Sequence, residues 1–417
     1  MSEWRKYKLD EIAQILNQKR IPLSSMQRNI RKGKYPYYGA SGIVDYIDDF
    51  IFDGEYVLIS EDGENLRSRN TPIAFFAKGK FWVNNHSHII KGNSDAINKW
   101  IIYYIKNLNI SPYLTGAVQP KLNKENLLSI PFFLPSSNKE LENIIEVLSS
   151  IDDKIELNNK INQELETLAQ LLFKQWFIDF EFPNENGEPY KSSGGEMIDS
   201  ELGEIPKGWR VGYLEDVIEF HNGYAFTSKE LESESSTDCY HVFKMGHIKK
   251  GGGLNAEGTK SYFSKSKAHK LSKYVLKKGD LLMCMTDMKG NVALLGHTAL
   301  MNEDDKYIVN QRVGLLRPKN DEGIDYPYLY ILTNSFDFIE ELRSRANSGV
   351  QVNLSTNEIK KSKILIAPKS INEKFGLITK SFYDIIFEIT NENLTLRNTR
   401  DYLLPKLISG ELQINDK

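Results

Sequence analysis

Short apolar runs alternate with turn residues in two long stretches of the chain. In residues 1–135 the runs EYVLIS, IAFFA, KFWVN and SIPFFLP are rich in β-branched and aromatic residues, and Gly, Pro and Asn separate them. Residues 209–368 have the same texture, with the runs DLLMCM, KYIVNQRVGLL and SKILIAP. Runs of this kind are typical of β-strands. The pattern therefore predicts two strand-rich domains, residues 1–135 and 209–368.

The pattern becomes helical after each of these stretches. Between residues 144 and 172, apolar residues and two asparagines recur at alternating spacings of four and three, the heptad pattern of a coiled coil. A similar pattern follows residue 368. We expect a first spacer helix in residues 136–180 and a second, with a C-terminal segment, in residues 369–417. The residues expected to pair them are Ile144, Leu148, Ile151, Ile155, Asn158, Asn162 and Leu165 on the first helix, and Phe375, Ile378, Phe382, Ile385 and Ile389 on the second.

Two asparagines occupy positions of this pattern that normally hold apolar residues. A buried Asn costs stability, but it selects the register and the orientation of the partner helix. Asn158 and Asn162 therefore indicate a specified pairing, unless they lie in a frayed or solvated section. Residues 181–208, rich in Pro, Gly, Ser and Asn, are predicted to be a linker.

The two halves of the chain repeat the same motifs in the same order. The offset between matching motifs grows from 205 to 225 and then to 232 residues, in steps of the size of loop insertions. We infer an internal repeat. The matches are Trp4-Arg5 with Trp209-Arg210, Gly54-Glu55 with Gly279-Asp280, Trp82-Val83 and Asn85 with Tyr307-Ile308 and Asn310, Val118-Gln119 and Leu122 with Val350-Gln351 and Leu354, and Leu171-Leu172 with Leu403-Leu404.

The charge is distributed unevenly along the chain. Its net value is −3, but residues 1–135 hold 18 basic and 13 acidic residues, residues 136–204 hold 5 and 16, and residues 205–368 hold 23 and 20. Two mildly basic domains on either side of an acidic segment suggest two surfaces that face phosphates and a spacer that avoids them. Ordinary variation of solvated surface would give the same counts.

Other bulk features narrow the class of protein. Forty per cent apolar residues supply a core. No apolar stretch reaches the ~20 residues of a membrane span, and the first residues lack the apolar region of a signal peptide. Cys239 and Cys284 do not form a metal-binding spacing. We therefore expect a cytoplasmic protein without a membrane partner.

Six strings along the chain resemble one protein family. Two repeats, each a strand-rich domain followed by a long helix, are similar to the specificity subunits of type I restriction–modification systems. The resemblance covers essentially the whole chain, although Pro120 stands where the second repeat has Val352. The strings are YPYYGASG (35–42), GAVQPKLNKENLLSIPFFLP (116–135), LLFKQWFIDFEFP (171–183), GEIPKGWRVGYLEDV (203–217), GVQVNLSTNEI (349–359) and LLPKLISGEL (403–412).

The resemblance implies a fold, a function and a set of partners. The fold would be α+β, with two similar mixed α/β target-recognition domains separated by two long antiparallel coiled-coil helices and related by an internal pseudo-twofold repeat. Each domain would recognise one half of an asymmetric, bipartite site in double-stranded DNA. The chain would bind two methyltransferase subunits and restriction/translocase subunits. It would hold no cofactor itself; S-adenosylmethionine, ATP and Mg would be bound by those partners, which would methylate adenine N6.

A direct search for catalytic motifs agrees with a non-enzyme. The sequence has no GxxxxGK[ST] loop, no Pro-Pro and no Pro-Asp. His86 and His88 form a His-x-His pair that could bind a metal with further ligands, end a strand or contact DNA. We assign no catalytic residue and no metal ligand. Two alternatives remain: a self-contained DNA methyltransferase or nuclease with a divergent catalytic site, and a scaffold that binds only protein.

Candidate DNA contacts follow from the chemistry of base recognition. Arg and Lys recognise guanine, Asn and Gln recognise adenine, and small or apolar groups contact the thymine methyl. We expect the contacts to come from residues on loops that leave the strands. The candidates in the first domain are Tyr38, Ser41, Arg67, Arg69, Asn84, Asn85, His86, His88 and Lys121. Those in the second domain are Lys244, His247, Lys249, Lys250, Lys289, Asn291, Asn310, Gln311, Arg312 and Gln351.

Overall fold

The computed structural model describes residues 3–256, 258–288, 292–348 and 351–414. The chain forms two compact units, residues 1–158 with 392–417 and residues 159–391. Each unit contains one strand-rich domain, the first part of the long helix that follows it, and the last part of the other long helix.

The first unit is built around one mixed sheet. Its elements in chain order are β1 (Trp4–Tyr7), α1 (Leu9–Ile12), β2 (Ala13–Ile15), α2 (Ser25–Ile30), β3 (Lys32–Gly39), β4 (Gly42–Ile47), β5 (Phe52–Ser60), α3 (Asn65–Ser68), β6 (Ala74–Val83), β7 (Ser87–Gly92), α4 (Asp95–Asn107), α5 (Lys124–Ser129), β8 (Phe132–Pro135) and the long helix α6 (Asn138–Phe173), whose last part belongs to the second unit.

The strand order of this sheet is β2-β7-β5-β6-β3-β4. All neighbours are antiparallel except β3 and β6, which are parallel. Strand β5 buries consecutive apolar residues, Val57, Leu58 and Ile59, because both faces of the sheet are covered there. Ser94 caps the N-terminus of helix α4, because its hydroxyl accepts a hydrogen bond from the Ile97 N–H. This helix packs on the sheet and leaves the loops at the strand ends exposed.

The second unit repeats this plan with smaller sheets. Its elements are β9 (Met197–Ser200), β10 (Gly203–Pro206), β11 (Arg210–Tyr213), α7 (Leu214–Val217), β12 (Ile218–Asn222), β13 (Cys239–Phe243), β14 (Tyr262–Ser264), β15 (Leu281–Cys284), β16 (Thr286–Met288), β17 (Thr298–Leu300), β18 (Tyr307–Val309), β19 (Val313–Pro318), α8 (Tyr326–Thr333), α9 (Phe336–Ser344), β20 (Asn347–Ser348), β21 (Gln351–Asn353), α10 (Thr356–Lys360), β22 (Lys363–Ile366) and the long helix α11 (Lys369–Ile408), whose last part belongs to the first unit.

Matching strand pairs confirm the predicted repeat and the α+β fold class. In each unit the first strand of the domain pairs antiparallel with its last strand, β1 with β8 and β11 with β22. Each domain also contains one parallel pair, β3 with β6 and β13 with β18. The two domains therefore share their topology. The order β2-β7-β5-β6-β3-β4 of the first domain recurs in the second as β12-β19-β15-β17 and β18-β13-β14, where the two short strands β17 and β18 replace β6.

The two long helices run antiparallel where they meet within the first unit. Ile144 and Leu148 on α6 are buried in one core cluster with Leu404 and Leu407 on α11, and Ile155 on α6 is also buried. Further along, the Arg400 guanidinium donates to Asp152 at 2.6 Å, and the Asn158 amide donates to Asn393 at 2.9 Å. Residue numbers thus fall along α11 as they rise along α6.

The pairing in the second unit corrects part of the predicted pattern. Phe173 of α6 contacts Phe375 of α11, with ring centroids 6.1 Å apart. Ile378 and Ile385, predicted to be paired, are 38% and 43% exposed, so this prediction is wrong for them. The buried positions on α11 are four residues apart because this helix also packs on its own domain, through Tyr383 against Tyr330. The other predicted residues, Ile151, Asn162, Leu165, Phe382 and Ile389, are partly buried.

The segment predicted to be a linker is folded. Helix α6 continues into a π-helical turn over Lys174–Ile178. Phe180 and Phe182 beyond this turn are buried against Trp209, with ring centroids 5.6 and 5.2 Å away. The antiparallel pair β9 and β10 follows. The prediction of a linker failed because it was based on the Gly and Ser content of this stretch, whereas its aromatic residues form a small core.

Candidate nucleic-acid interface

Four loops at the strand ends of the first domain form one surface, which we call the first loop cluster. They are the β3–β4 turn (39–42), the segment after β5 (60–63), the β6–β7 turn (84–87) and the loop 115–122. Backbone hydrogen bonds hold three of them together: the Glu61 N–H donates to the His86 carbonyl at 2.9 Å, and the Leu122 N–H donates to the Glu61 carbonyl at 2.8 Å. The hydroxyl of Ser87 donates to the Gly39 carbonyl at 2.8 Å and ties in the β3–β4 turn.

The loop 115–122 is the most tightly braced of the four. Thr115 and Lys121 exchange two backbone hydrogen bonds of 2.8 Å, and the Gly63 N–H donates to the Pro120 carbonyl at 3.1 Å. A guanidinium N–H of Arg67 donates to the Gly116 carbonyl at 3.0 Å. The tip between these anchors is exposed, and the Val118 side chain is 95% exposed.

The tight turn of this loop requires glycine at position 116. Gly116 has a φ of +84°, and a Cβ atom there would lie 2.1 Å from the Gln119 carbonyl oxygen. Only glycine adopts this conformation without strain, and any side chain would meet the backbone of the same turn. The sequence therefore fixes the shape of the loop tip that presents Val118 and Gln119.

The second domain contains a matching surface, which we call the second loop cluster and which includes residues 285–286, 310–312 and 351–354. The Leu354 N–H donates to the Met285 carbonyl at 2.9 Å, as the Leu122 N–H does to the Glu61 carbonyl in the first domain. Thr286 pairs with Asn353 in β16 and β21, where the first domain has an isolated bridge between Asp62 and Lys121. Pro120 lacks an N–H, so the first domain forms only this bridge where the second forms a strand.

The geometry corrects the repeat register in the β6–β7 turn by one residue. The Asn84 N–H donates to the Tyr38 carbonyl at 3.0 Å, and the Asn310 N–H donates to the Phe243 carbonyl at 3.0 Å. Asn310 therefore corresponds to Asn84, not to Asn85 as the sequence motifs suggested. Each side-chain carbonyl accepts from the N–H two residues later, at His86 and Arg312. His86 and Arg312 thus occupy the same position in the two domains.

The predicted DNA contacts of the first domain divide into exposed and structural residues. Ser41, Arg67, Asn85, His86 and Lys121 are exposed on the cluster or beside it. The other candidates are partly or fully buried and stabilise the loops from within the domain. The guanidinium of Arg69 donates to the carbonyls of Lys106 and Leu108. Tyr38 is half-buried against Phe81, and burial raises its pKa. Asn84 is 9% exposed.

His88 does not reach the surface, contrary to the prediction. Its side chain is fully buried, Nδ1 lies 2.8 Å from the Asn17 amide, and Nε2 lies 2.7 Å from the Leu122 carbonyl. Burial lowers its pKa, so the ring is neutral. His86 and His88 differ in exposure because His86 lies in the β6–β7 turn, whereas His88 lies within β7, which begins at Ser87.

Acidic side chains in the first cluster were missed by the sequence analysis. Asp62 lies 2.9 Å from His86 Nδ1, and Glu61 lies 3.4 Å from the ammonium of Lys121. Burial raises the pKa of Glu61, but the hydrogen bond from Arg20 and the nearby positive charges outweigh it and bring the pKa below its usual value. The cations of this surface are therefore largely paired, and the surface suits hydrogen bonding to base edges better than bulk attraction to phosphates.

The predicted contacts of the second domain divide in the same way. Lys249, Lys250, Gln311 and Arg312 are exposed, and Asn310 is half-buried. The Lys244 ammonium donates to the Ser261 hydroxyl at 2.7 Å. The backbone of Gln351 belongs to β21, and Lys289 and Asn291 lie outside the described residues.

His247 is buried in the core of the second domain, which contradicts its prediction as a DNA contact. Its Nε2 lies 3.3 Å from His241 Nε2. Burial and the neighbouring His241 lower the pKa of His247 to about 4. In the part of the chain that the structure describes, no three His, Cys, Asp or Glu side chains are arranged to hold a metal ion, and no helix there is long and apolar enough to span a membrane.

Comparisons with known proteins place this geometry in context. A family model described as the type I restriction modification DNA specificity domain matches residues 1–167 and 206–396. A putative type I restriction enzyme specificity subunit of Haemophilus influenzae is 39% identical over 149 residues, which are 36% of this chain and 37% of that relative. The type I restriction enzyme MjaIX specificity subunit of Methanocaldococcus jannaschii is 26% identical over 85% of this chain and 78% of its own length.

One solved structure has a similar fold along the whole chain. The crystal structure of a type I restriction–modification system S subunit from M. genitalium matches with a TM-score of 0.59 and 16% identity, covering 100% of this chain and 97% of that one. This likeness supports the two-domain, two-helix architecture.

Proposed function

Because this chain belongs to the type I restriction–modification DNA specificity family, we propose that it is the subunit that recognises a bipartite DNA site for a methylating and restricting complex. Each strand-rich domain recognises one half of an asymmetric site, and the chain itself is non-catalytic. Partner subunits carry out adenine methylation and restriction. The complex acts on double-stranded DNA in the cytoplasm.

The observation that carries this proposal is the pair of matching loop clusters. Each domain presents the same four loop positions on the same strand framework, but most exposed residues on them differ. At the exposed β6–β7 turn, Asn85 and His86 of the first domain correspond to Gln311 and Arg312 of the second. A shared framework with different exposed donors and acceptors is suited to recognising two different base sequences.

The proposed partners follow from the family. Two methyltransferase subunits bind S-adenosylmethionine, and restriction/translocase subunits bind ATP and Mg. Their docking surfaces on this chain include the exposed sides of the two long helices, where Leu168, Leu171 and Leu377 are 49%, 56% and 78% exposed. Apolar side chains on otherwise polar helix faces favour a protein partner over DNA at these positions.

The test is reconstitution with a methyltransferase subunit of the same system. We expect no methyl transfer from S-adenosylmethionine to DNA by the purified chain alone, and transfer at one bipartite sequence when the methyltransferase subunit is added. Activity of the chain alone that follows its concentration through purification would instead support a self-contained methyltransferase.

Substitutions in one loop cluster sharpen this test. Asn85→Ala and His86→Ala remove exposed side chains of the first cluster, and the loss of one base contact corresponds to about tenfold weaker binding. The loss is expected for changes in one half-site only. Lys139→Ala, which removes a charge from the first turn of the long helix α6, is the matched control. Equal losses for all three variants would contradict recognition through the loop cluster.

A further inference from the structure

One exposed position is held in the same way in both loop clusters, although it carries a different side chain in each. We call it the shared turn position; it is His86 in the first domain and Arg312 in the second, each the last residue before a strand. The Glu61 N–H donates to the His86 carbonyl at 2.9 Å, and the Met285 N–H donates to the Arg312 carbonyl at 3.2 Å. Because the backbone is fixed in both domains, the side chain decides what this position offers to DNA.

In the second domain the shared turn position offers only hydrogen-bond donors. The Arg312 side chain is exposed, and its guanidinium has no hydrogen-bond or ion-pair partner among the described residues. Thr286, which takes the place of Asp62, is buried and carries no charge that could neutralise it. A guanidinium fork is complementary to guanine, because the major-groove edge of guanine presents two acceptors, N7 and O6.

In the first domain the same position offers an acceptor. His86 Nδ1 lies 2.9 Å from both carboxylate oxygens of Asp62. A carboxylate only accepts hydrogen bonds, so it holds the proton of the neutral imidazole on Nδ1 and leaves Nε2 as an acceptor. In the part of the chain that the structure describes, Nε2 has no hydrogen-bond partner, and the side chain is 48% exposed. An acceptor with a carboxylate beside it suits cytosine, whose major-groove edge presents the N4 amino group as a donor.

We propose that the shared turn position selects one base in each half-site: Arg312 selects a guanine in the half-site of the second domain, and His86, oriented by Asp62, selects a cytosine in that of the first. This inference rests on the proposed function, which assigns one half-site to each domain. An exchange of donors for an acceptor at one fixed position changes which base of a G·C pair fits it. The two domains thus use one framework to select different bases.

Base selection by the assembled complex tests the assignment of Arg312. The full chain with its methyltransferase subunit is mixed with duplexes randomised across both half-sites, at pH 8, where an ordinary imidazole is neutral, and the bound duplexes are sequenced. The variant Arg312→Gln exchanges the guanine-binding fork for an amide that fits adenine. We expect adenine to replace guanine at one position of the second half-site, and the wild-type sequence to bind at least about tenfold more weakly. The first half-site is retained.

The double variant Asp62→Thr with His86→Arg tests the first domain by giving it the residues of the second. We expect guanine to replace cytosine at one position of the first half-site, while the second half-site is retained. The matched control is Arg210→Gln, which removes the same charged group near the opposite end of the β12–β19 pair, where Ile218 lies opposite Pro318. Arg210 is exposed and its ion pairs contribute little to stability, so this control selects the wild-type bases.

The outcomes separate this inference from the proposed function. If the wild-type complex enriches no bipartite sequence, the proposed function fails. If it does, but Arg312→Gln still selects the wild-type bases or the double variant still selects cytosine, only the inference about the shared turn position is overturned. If Arg312→Gln weakens binding to all sequences equally, Arg312 contacts a phosphate, which also overturns the inference.

Discussion

The buried asparagine pair between the two long helices leads to a quantitative prediction for the first unit. Asn158 is fully buried, and its amide donates to Asn393 at 2.9 Å and to the Glu392 carboxylate at 2.7 Å. The hydrogen bonds from Asn158 and Lys154 lower the pKa of Glu392, which is therefore ionised. Both hydrogen bonds cross from α6 to α11, so they stabilise the pairing of the helices directly.

Removing the amide is expected to weaken this helix pair. The variant Asn158→Ala loses the hydrogen bond to the buried Asn393, which is worth about 1 kcal/mol, and a second hydrogen bond to the solvated carboxylate of Glu392. We expect the free energy of opening to fall by at least about 1 kcal/mol. Asn158→Leu fills the space but leaves Asn393 without this donor, so we expect it to be destabilising as well.

The double variant distinguishes pairing from packing. Replacing both members of a buried polar pair with apolar residues is often nearly neutral, so Asn158→Leu with Asn393→Leu is expected to recover most of the stability lost in Asn158→Leu. Hydrogen exchange of peptides from 138–158 and 392–408 measures opening of this unit. A single Asn158→Leu variant as stable as the wild type, or strictly additive effects of the two substitutions, would refute the reasoning.

Three further predictions follow from other sites. The pKa of His247 is about 4, below its ordinary value of 6.5, so the stability that its neutral form gives the second unit is present above pH 6.5 and declines by roughly 3 kcal/mol towards pH 4. Urea unfolding of the His247→Phe variant should therefore depend less on pH than unfolding of the wild type. The same pH dependence in both proteins would contradict this. The Arg317 guanidinium donates two hydrogen bonds of 2.8 Å to the carboxylate of Asp280, whose side chain is only 5% exposed. The variant Asp280→Asn should therefore destabilise the second unit by about 3 kcal/mol, and an unchanged midpoint of urea unfolding would contradict this prediction. The variant Gly116→Ala places a Cβ atom against the Gln119 carbonyl oxygen and distorts the loop tip. It should weaken DNA binding about tenfold or more with little change in global stability. Wild-type affinity in a fluorescence anisotropy titration would show that the shape of this loop is not needed for DNA binding.

The sequence was most informative where periodicity and repetition act together. The strand-rich domains and the long helices follow from apolar patterns that the core must satisfy, and Asn158 was identified because it interrupts such a pattern. The antiparallel direction of the helix pair was implied by the family resemblance. The pattern was less reliable on α11. This helix packs on its own domain as well as on α6, so Tyr383 is buried where a strict heptad favoured Phe382 and Ile385.

The loop surfaces were predictable in position more than in detail. Residue type suggested that His86, His88 and Arg69 were equivalent candidates, but their exposure depends on strand direction and on carbonyls from distant segments, such as Leu122 for His88 and Leu108 for Arg69. Such long-range partners have no local signal.

Exchange of one strand-rich domain tests the central claim most directly. The ends of the first domain pair with each other, Trp4 in β1 opposite Pro135 in β8, so residues 1–135 can be replaced by the equivalent domain of a relative at one structural junction. The chimeric chain is assembled with the methyltransferase subunit, and the methylated sequences are read by sequencing of cellular DNA. We predict that one half-site changes to that of the relative while the other half-site is retained. A chimera that changes both half-sites, or neither, would contradict recognition of one half-site by each domain.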